Sequence, residues 1–305
     1  MTVPPTAQKT SSPWRGSFLT YGHAATTVSL DKGALPFYNP TYAHRLELGP
    51  QWNFNDLLFV RARLELMQEF TVSDTYENPH EIVVTDLMAD VGTSGWEEPR
   101  TGIRISGDLR LTAPTSKIAQ AQSRILSVGP RLSLSRKFPV MQGLTVRYDG
   151  RYTYRFNRYT TMQNEAPRLI ACTDVQSLDC LETAHTGRRN VEQDVVHGAT
   201  VLFQPLEKLS VTSSLMWSHG FLYALTPSDI PVRANPYANE NFARFSSIFS
   251  IGASYQIFDA LDVGAGVLTV SPLGEDGSVR TPFFNQFTTL YLDLGVDFEA
   301  LLSRS

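Results

Sequence analysis

Between Leu144 and Tyr159 the chain alternates in character at every step. Leu144, Val146, Tyr148, Tyr152, Tyr154 and Phe156 fall on one parity, and Arg147, Asp149, Arg151, Thr153, Arg155 and Asn157 on the other. Successive side chains of an extended backbone point to opposite faces, so a period of two predicts a strand with one apolar and one ionic face. The same pattern recurs in about a dozen segments, over 14–30, 41–54, 57–70, 82–92, 102–113, 124–138, 144–159, 194–205, 209–222, 242–258, 261–271 and 283–298. No stretch of similar length carries a 3.6-residue period.

Alternation alone does not say which face is wet. A soluble sheet buries its apolar face, whereas a membrane barrel turns it outward to lipid. The connections decide. Asn55-Asp56, Pro139 to Gly143, Glu207-Lys208 and Asp259-Ala260 read as tight turns, and 31–40, 71–81, 114–123, 160–193, 223–241 and 272–282 as long polar loops. Taken in order, long and short alternate, with 93–101 (TSGWEEPRT) an over-long member of the short set. Short turns at one end and long loops at the other predict an all-β fold, a closed antiparallel transmembrane barrel of about 12 strands with periplasmic turns and extracellular loops. The barrel is expected over 14–298, after a flexible segment 1–13 and before a short tail 299–305.

The two faces agree from strand to strand. Arg45 and Glu47 oppose Leu46 and Leu48; Arg61, Arg63 and Glu65 oppose Val60, Leu64 and Leu66; Arg104 and Asp108 oppose Ile105 and Leu109; Arg131 opposes Leu132. With Arg147, Asp149, Arg151, Arg155, Asp262, Asp293 and Asp297 these charged residues are the predicted lining of a polar lumen. Arginine stands where lysine would serve as a simple charge, which suits bidentate pairing across a wall. Trp52 and Phe54, Tyr154, Phe156 and Tyr159, and Phe245 and Tyr255 stand near strand ends, where a membrane barrel carries its aromatic girdles.

Composition narrows the function classes. Hydrophobic residues make up 42% and aromatic residues 11% of the 305, and no run approaches the roughly 18 apolar residues of a spanning helix. A net charge of -4 gives no basic footprint for nucleic acid. The first residues lack a basic region followed by an apolar core, so for an exported protein the numbering is expected to begin after the cleavage site. Cys172 and Cys180, in the polar stretch ACTDVQSLDCLE, have no zinc-like spacing and are expected to form a small disulfide in an oxidising compartment.

The last predicted strand ends in LYLDLGVDF, which resembles the C-terminal signature of bacterial outer-membrane β-barrels, an amphipathic strand with a glycine and a terminal aromatic. The resemblance implies reading by the barrel assembly machinery, with Tyr291, Gly295 and Phe298 at the matching positions. The tail EALLSRS departs from it, because the chain continues past the aromatic.

Catalytic and cofactor signatures are lacking. A phospholipase family of such barrels places His and Ser two apart on one outward face, but all six histidines are followed two places on by Ala, Leu, Ile, Gly or Phe. Gly264 and Gly266 lack the rest of a dinucleotide fingerprint, Asp86 and Asp90 read as structural lumen carboxylates, and 71–81 lacks calcium-loop spacing. No enzyme activity, cofactor or metal is expected. The expected role is an outer-membrane channel or transporter for small polar or charged solutes, with Arg61, Arg63, Arg104, Arg131, Arg147 and Arg151 as an anion-attracting side facing Asp262, Asp293 and Asp297. The alternatives are a lumen sealed by its own salt bridges and a docking barrel that holds an envelope protein through loops 160–193 and 223–241.

Overall fold

A computed structural model describes residues 12–27, 41–71, 80–165, 183–224, 243–272, 281–285 and 287–302. The wall begins with β1 (Phe18–Thr26), β2 (Tyr42–Gly49) with its continuation β3 (Gln51–Asn53), and β4 (Leu58–Glu69). A fourth line is built from β5 (Ile82–Val84), β6 (Leu87–Thr93) and β7 (Trp96–Glu97), followed by β8 (Ile103–Ala113), a short helix α1 (Lys117–Ala121), β9 (Arg124–Phe138) and β10 (Gly143–Asn157). The connection after β10 carries a two-stranded ribbon, β11 (Thr161–Glu165) with β12 (Thr183–Arg189). The wall resumes with β13 (Val191–Leu206), β14 (Leu209–Leu222), β15 (Ala243–Phe258), β16 (Leu261–Pro272) and β17 (Thr288–Asp297), and α2 (Phe298–Leu302) follows.

Each line pairs antiparallel with its sequence neighbours, and the first meets the last. Phe18 lies opposite Asp297 and Thr26 opposite Thr289, so β1 and β17 close a barrel of twelve strands. Closure satisfies the backbone donors and acceptors that an open edge would leave bare.

The molecule is inside out relative to a soluble protein. Among the described residues the buried apolar set is only Ala43, Val83 and Ala119, whereas Asp90, Asp149, Asp194, Glu69 and several serines and threonines are buried. Leu46, Leu64, Ile105, Leu132, Leu134, Tyr148, Tyr152, Ile251, Leu290 and Leu292 all lie on the outward parity, most of them well exposed. A continuous apolar exterior of this extent is a lipid-facing surface. Trp14 packs edge-on against Trp52 with ring centroids 5.0 Å apart, and Phe54 is 65% exposed beside them, so aromatics gather at the short-turn rim.

Local chemistry sets the turns. The Asn55 side chain accepts hydrogen bonds from the Leu57 and Leu58 amides at 2.8 and 2.7 Å, which folds the Asn55-Asp56 reversal. The 93–101 connection is shorter than the sequence reading gives. Gly95 at φ +98° bends the chain, and Trp96 and Glu97 then pair with Ile105 and Arg104, leaving a tight turn in which the Glu98 carboxylate accepts from the Thr101 amide at 2.6 Å. The last strand is also shorter than 283–298. The Asn285 amide donates to the Thr288 hydroxyl oxygen at 2.8 Å and the Asn285 side-chain oxygen accepts from the Phe287 amide at 2.8 Å, a local closure that competes with extended pairing and delays the strand to Thr288. Phe298, read as the closing aromatic of that strand, instead opens α2, which Asp297 caps through the Glu299 amide at 2.8 Å.

Leu132 stands near the middle of β9 on the outward face, 54% exposed and flanked by Gly107 and Gly150 on the neighbouring strands. Leu132→Arg is expected to lower folding stability in lipid vesicles by about 2–4 kcal/mol, and Leu132→Phe to change it little. Denaturant titration of the protein refolded into vesicles measures both.

Candidate functional site

The inward parity brings the charged residues into one lumen. Arg45, Glu47, Arg61, Arg63, Glu65, Arg104, Asp108, Arg131, Arg147, Asp149, Arg151 and Arg155 line the arc from β2 to β10, and Asp262, Asp293 and Asp297 the arc of β16 and β17. The arginines are spent on carboxylates. Arg151 donates to Asp108 at 2.8 Å, Arg131 reaches both Asp108 at 3.6 Å and Asp149 at 2.6 Å, and Arg147 donates to Asp149 at 2.7 Å. This chain of alternating sign crosses β8, β9 and β10. Arg110 forks onto Asp90 at 2.7 and 3.0 Å, Arg61 shares that carboxylate at 3.4 Å, and Asp90 is 1% exposed. Arg63 holds Glu47 at 3.1 Å, and at the short-turn mouth Arg104 faces Glu97 at 3.4 Å.

Two pairs sit toward the long-loop end, Arg155 with Asp194 at 2.5 Å and Arg124 with Asp86 at 2.6 Å. Arg124 and Asp194 escape the sequence reading, because Arg124 is the first residue of β9 and Asp194 the first of the expected strand 194–205, which the structure extends back to Val191. Asp194 meets Arg155 only through the β10–β13 pairing, which joins strands separated by the long 158–190 connection.

Arg45 spans the seam of the barrel. Its Nη2 donates to both oxygens of Asp293 at 2.8 and 2.6 Å, joining β2 to β17 over β1. Gly22 of β1 lies beneath, where a Cβ would collide with the Asp293 carboxylate.

The other arc carries little charge. Ser210 pairs with Ser254 and Ser214 with Ser250, each at 2.7 Å, and Thr212, Gly252, Gly264 and Gly266 fill in between. These small side chains leave space. A cavity of about 370 Å³ lies against Thr212, Gly252, Ser254, Asp262, Gly264, Tyr291, Asp293 and Asp297, and a second of about 280 Å³ continues past Asp262 and Asp297 to the turn residues Glu207, Lys208 and Asp259. Among the described residues neither Asp262 nor Asp297 has a cation within salt-bridge distance.

Tyr291 sets the width of this space. Its ring lies along the wall below Arg45, whose guanidinium carbon is 5.7 Å from the ring centroid, and its hydroxyl occupies the room left by Gly252 and Gly266. A Cβ at either glycine would overlap that hydroxyl. Of the residues matched to the C-terminal signature, Tyr291 and Gly295 thus face the lumen and Phe298 starts the helix. Cys172 and Cys180, with their expected disulfide, lie outside the described residues.

No protein-family model and no curated protein matches the sequence. Among solved structures the fold is similar to an outer-membrane channel from Pseudomonas putida F1, at TM-score 0.56 and 11% identity over 97% of this chain and 99% of that one. The NanC porin (TM-score 0.47, 10% identity, 92% and 98% coverage) and the KdgM porin (0.46, 9%, 92% and 99%) are similar in general outline only. The chain has the fold of an outer-membrane β-barrel. Its lipid-facing exterior, its twelve-strand closure and its short-turn rim of aromatics all accord with that assignment.

Asp90→Ala is expected to cost about 3–5 kcal/mol of folding stability, since it strands Arg61 and Arg110 without their carboxylate in a buried setting; vesicle unfolding curves give the value. Gly252→Ala, whose added Cβ meets the Tyr291 hydroxyl before any backbone atom, is expected to push the Tyr291 ring into the lumen and lower single-channel conductance, and Gly252→Ala combined with Tyr291→Ala to restore or exceed the parent level. Planar-bilayer recordings of the two variants distinguish this from a general folding defect.

Proposed function

We propose that this barrel is a narrow outer-membrane channel for small polar or charged solutes, with its passage displaced toward the β14–β17 side and a preference for cations. The observation that carries the reading is the asymmetry of the lumen. The arginine arc is filled by guanidinium groups held on carboxylates, whereas the open space is bounded by hydroxyls, glycines and two carboxylates that hold no arginine. A permeating ion responds to charge that is left uncompensated beside its path, as it does to charged rings in other pores. The sequence-based expectation of an anion-attracting arginine side therefore gives way to an acidic one, because Arg61, Arg63, Arg104, Arg131, Arg147 and Arg151 each already face a carboxylate. The arginines instead stiffen the wall and narrow the bore to solutes that fit along the serine arc.

Reconstitution in planar bilayers under a potassium chloride gradient tests this. The reading expects discrete conductance steps and a zero-current potential on the cation-selective side, shifted toward anions in Asp262→Asn with Asp297→Asn. Asparagine is chosen because it still caps α2. Selectivity unchanged by that double substitution refutes the acidic passage. Silence from correctly folded barrel refutes the channel and favours docking through the long loops.

A further inference from the structure

We propose that His197 and His219 form a two-imidazole site for a divalent transition-metal ion, such as copper or zinc, on the outer wall of the barrel. Both residues stand on the outward parity of adjacent strands β13 and β14, in a diagonal relation that brings their Nε2 atoms to 3.2 Å with the rings almost parallel at 3°. Two imidazoles bound to one tetrahedral metal at about 2.0–2.1 Å place their nitrogens about 3.3 Å apart. The pair therefore already has the spacing of a chelate, and with the ring proton of each neutral imidazole carried on Nδ1 both Nε2 lone pairs are available to one metal ion.

The surroundings hold both rings in place. The Tyr148 hydroxyl lies 2.9 Å from His197 Nδ1, so it accepts from that nitrogen once Nε2 is committed to a metal, the outer-shell contact that fixes the tautomer of a ligating histidine. Trp217 lies against the His197 ring with centroids 5.7 Å apart, and Phe245 meets His219 edge-on at 5.1 Å. His219 is close to the long-loop end of β14, which stops at Leu222, so the pair sits near the outer boundary of the apolar belt rather than at its centre. Water or a lipid phosphate oxygen can complete the coordination there. Among the described residues no group of three or more metal-binding side chains converges anywhere, so the protein supplies two ligands and the site is one of modest affinity.

The second outward histidine pair gives an internal comparison. His23 and His44 are also cross-strand neighbours, but the Tyr42 hydroxyl stands between them, 2.7 Å from His23 Nδ1 and 3.2 Å from His44 Nε2, and Tyr21 takes His44 Nδ1 at 3.0 Å. Tyrosine occupies the position that a metal takes at the other pair.

Trp217 serves as the reporter, since bound copper quenches a neighbouring indole. In folded barrel carrying Trp217 as its only tryptophan, copper(II) titration is expected to quench the fluorescence with saturation, and a chelator to restore it. His197→Phe and His219→Phe, which suit a lipid-facing wall, should each weaken the midpoint at least tenfold, while His44→Phe should leave it unchanged. Folding of each variant is read from its resistance to detergent denaturation on unheated gels, and direct calorimetry with zinc supplies a second readout. Quenching with the same midpoint in both His197→Phe and His219→Phe, or loss of the effect in His44→Phe, overturns the assignment.

Discussion

Within hydrocarbon no water is at hand to satisfy a backbone amide or carbonyl, and each bare group costs several kcal/mol. A chain that crosses with strands therefore has to close on itself. Here closure falls on the pairing of β1 with β17, nine residues from the N-terminal side against the C-terminal strand, and on the Arg45–Asp293 fork that spans the same seam. Once the ribbon is closed, the two-residue period does the rest. One parity meets lipid, the other meets an enclosed polar interior, and no position remains for an apolar core.

That enclosed interior is narrow for twelve strands to leave empty, and the sequence fills most of one side with guanidinium groups. Arginine suits this setting because its planar fork can hold one carboxylate with two bonds, or two carboxylates at once, without bulk water. Arg131 between Asp108 and Asp149, and Asp90 between Arg61 and Arg110, are the two forms of that arrangement. Most of these contacts join different strands, Arg151 reaching Asp108 across β9, so the network acts as a lateral brace. Filling one side pushes the free space to the other, where serines and glycines keep the wall thin and Tyr291 lies flat in the room that Gly252 and Gly266 provide.

Much of this architecture was legible in the order of residues. Strand positions follow from parity, the end of the barrel to which each loop belongs follows from the alternation of short and long connections, and the sign of each face follows from arginine opposite leucine. The reading failed where local side-chain bonding outbid extension, at Asn285 before the last strand and at Gly95 and Glu98 in the fourth connection. It also stopped short of partnership. Register decides that Arg155 meets Asp194 and that His197 meets His219, and register across a long connection is not written in either strand alone. Which carboxylate each arginine of the lumen meets is likewise a matter of register, and composition alone does not give it.

The orientation of the two faces is tested most directly by single spin labels placed in turn along residues 103–111 of β8 in vesicle-embedded protein. The account predicts that labels at Ile103, Ile105, Leu109 and Leu111 collide readily with oxygen dissolved in lipid, and that labels at Arg104, Ser106 and Arg110 are shielded from it and respond to a water-soluble nickel chelate at the mouths of the lumen. A pattern with the opposite parity, or with no alternation along the strand, would contradict it.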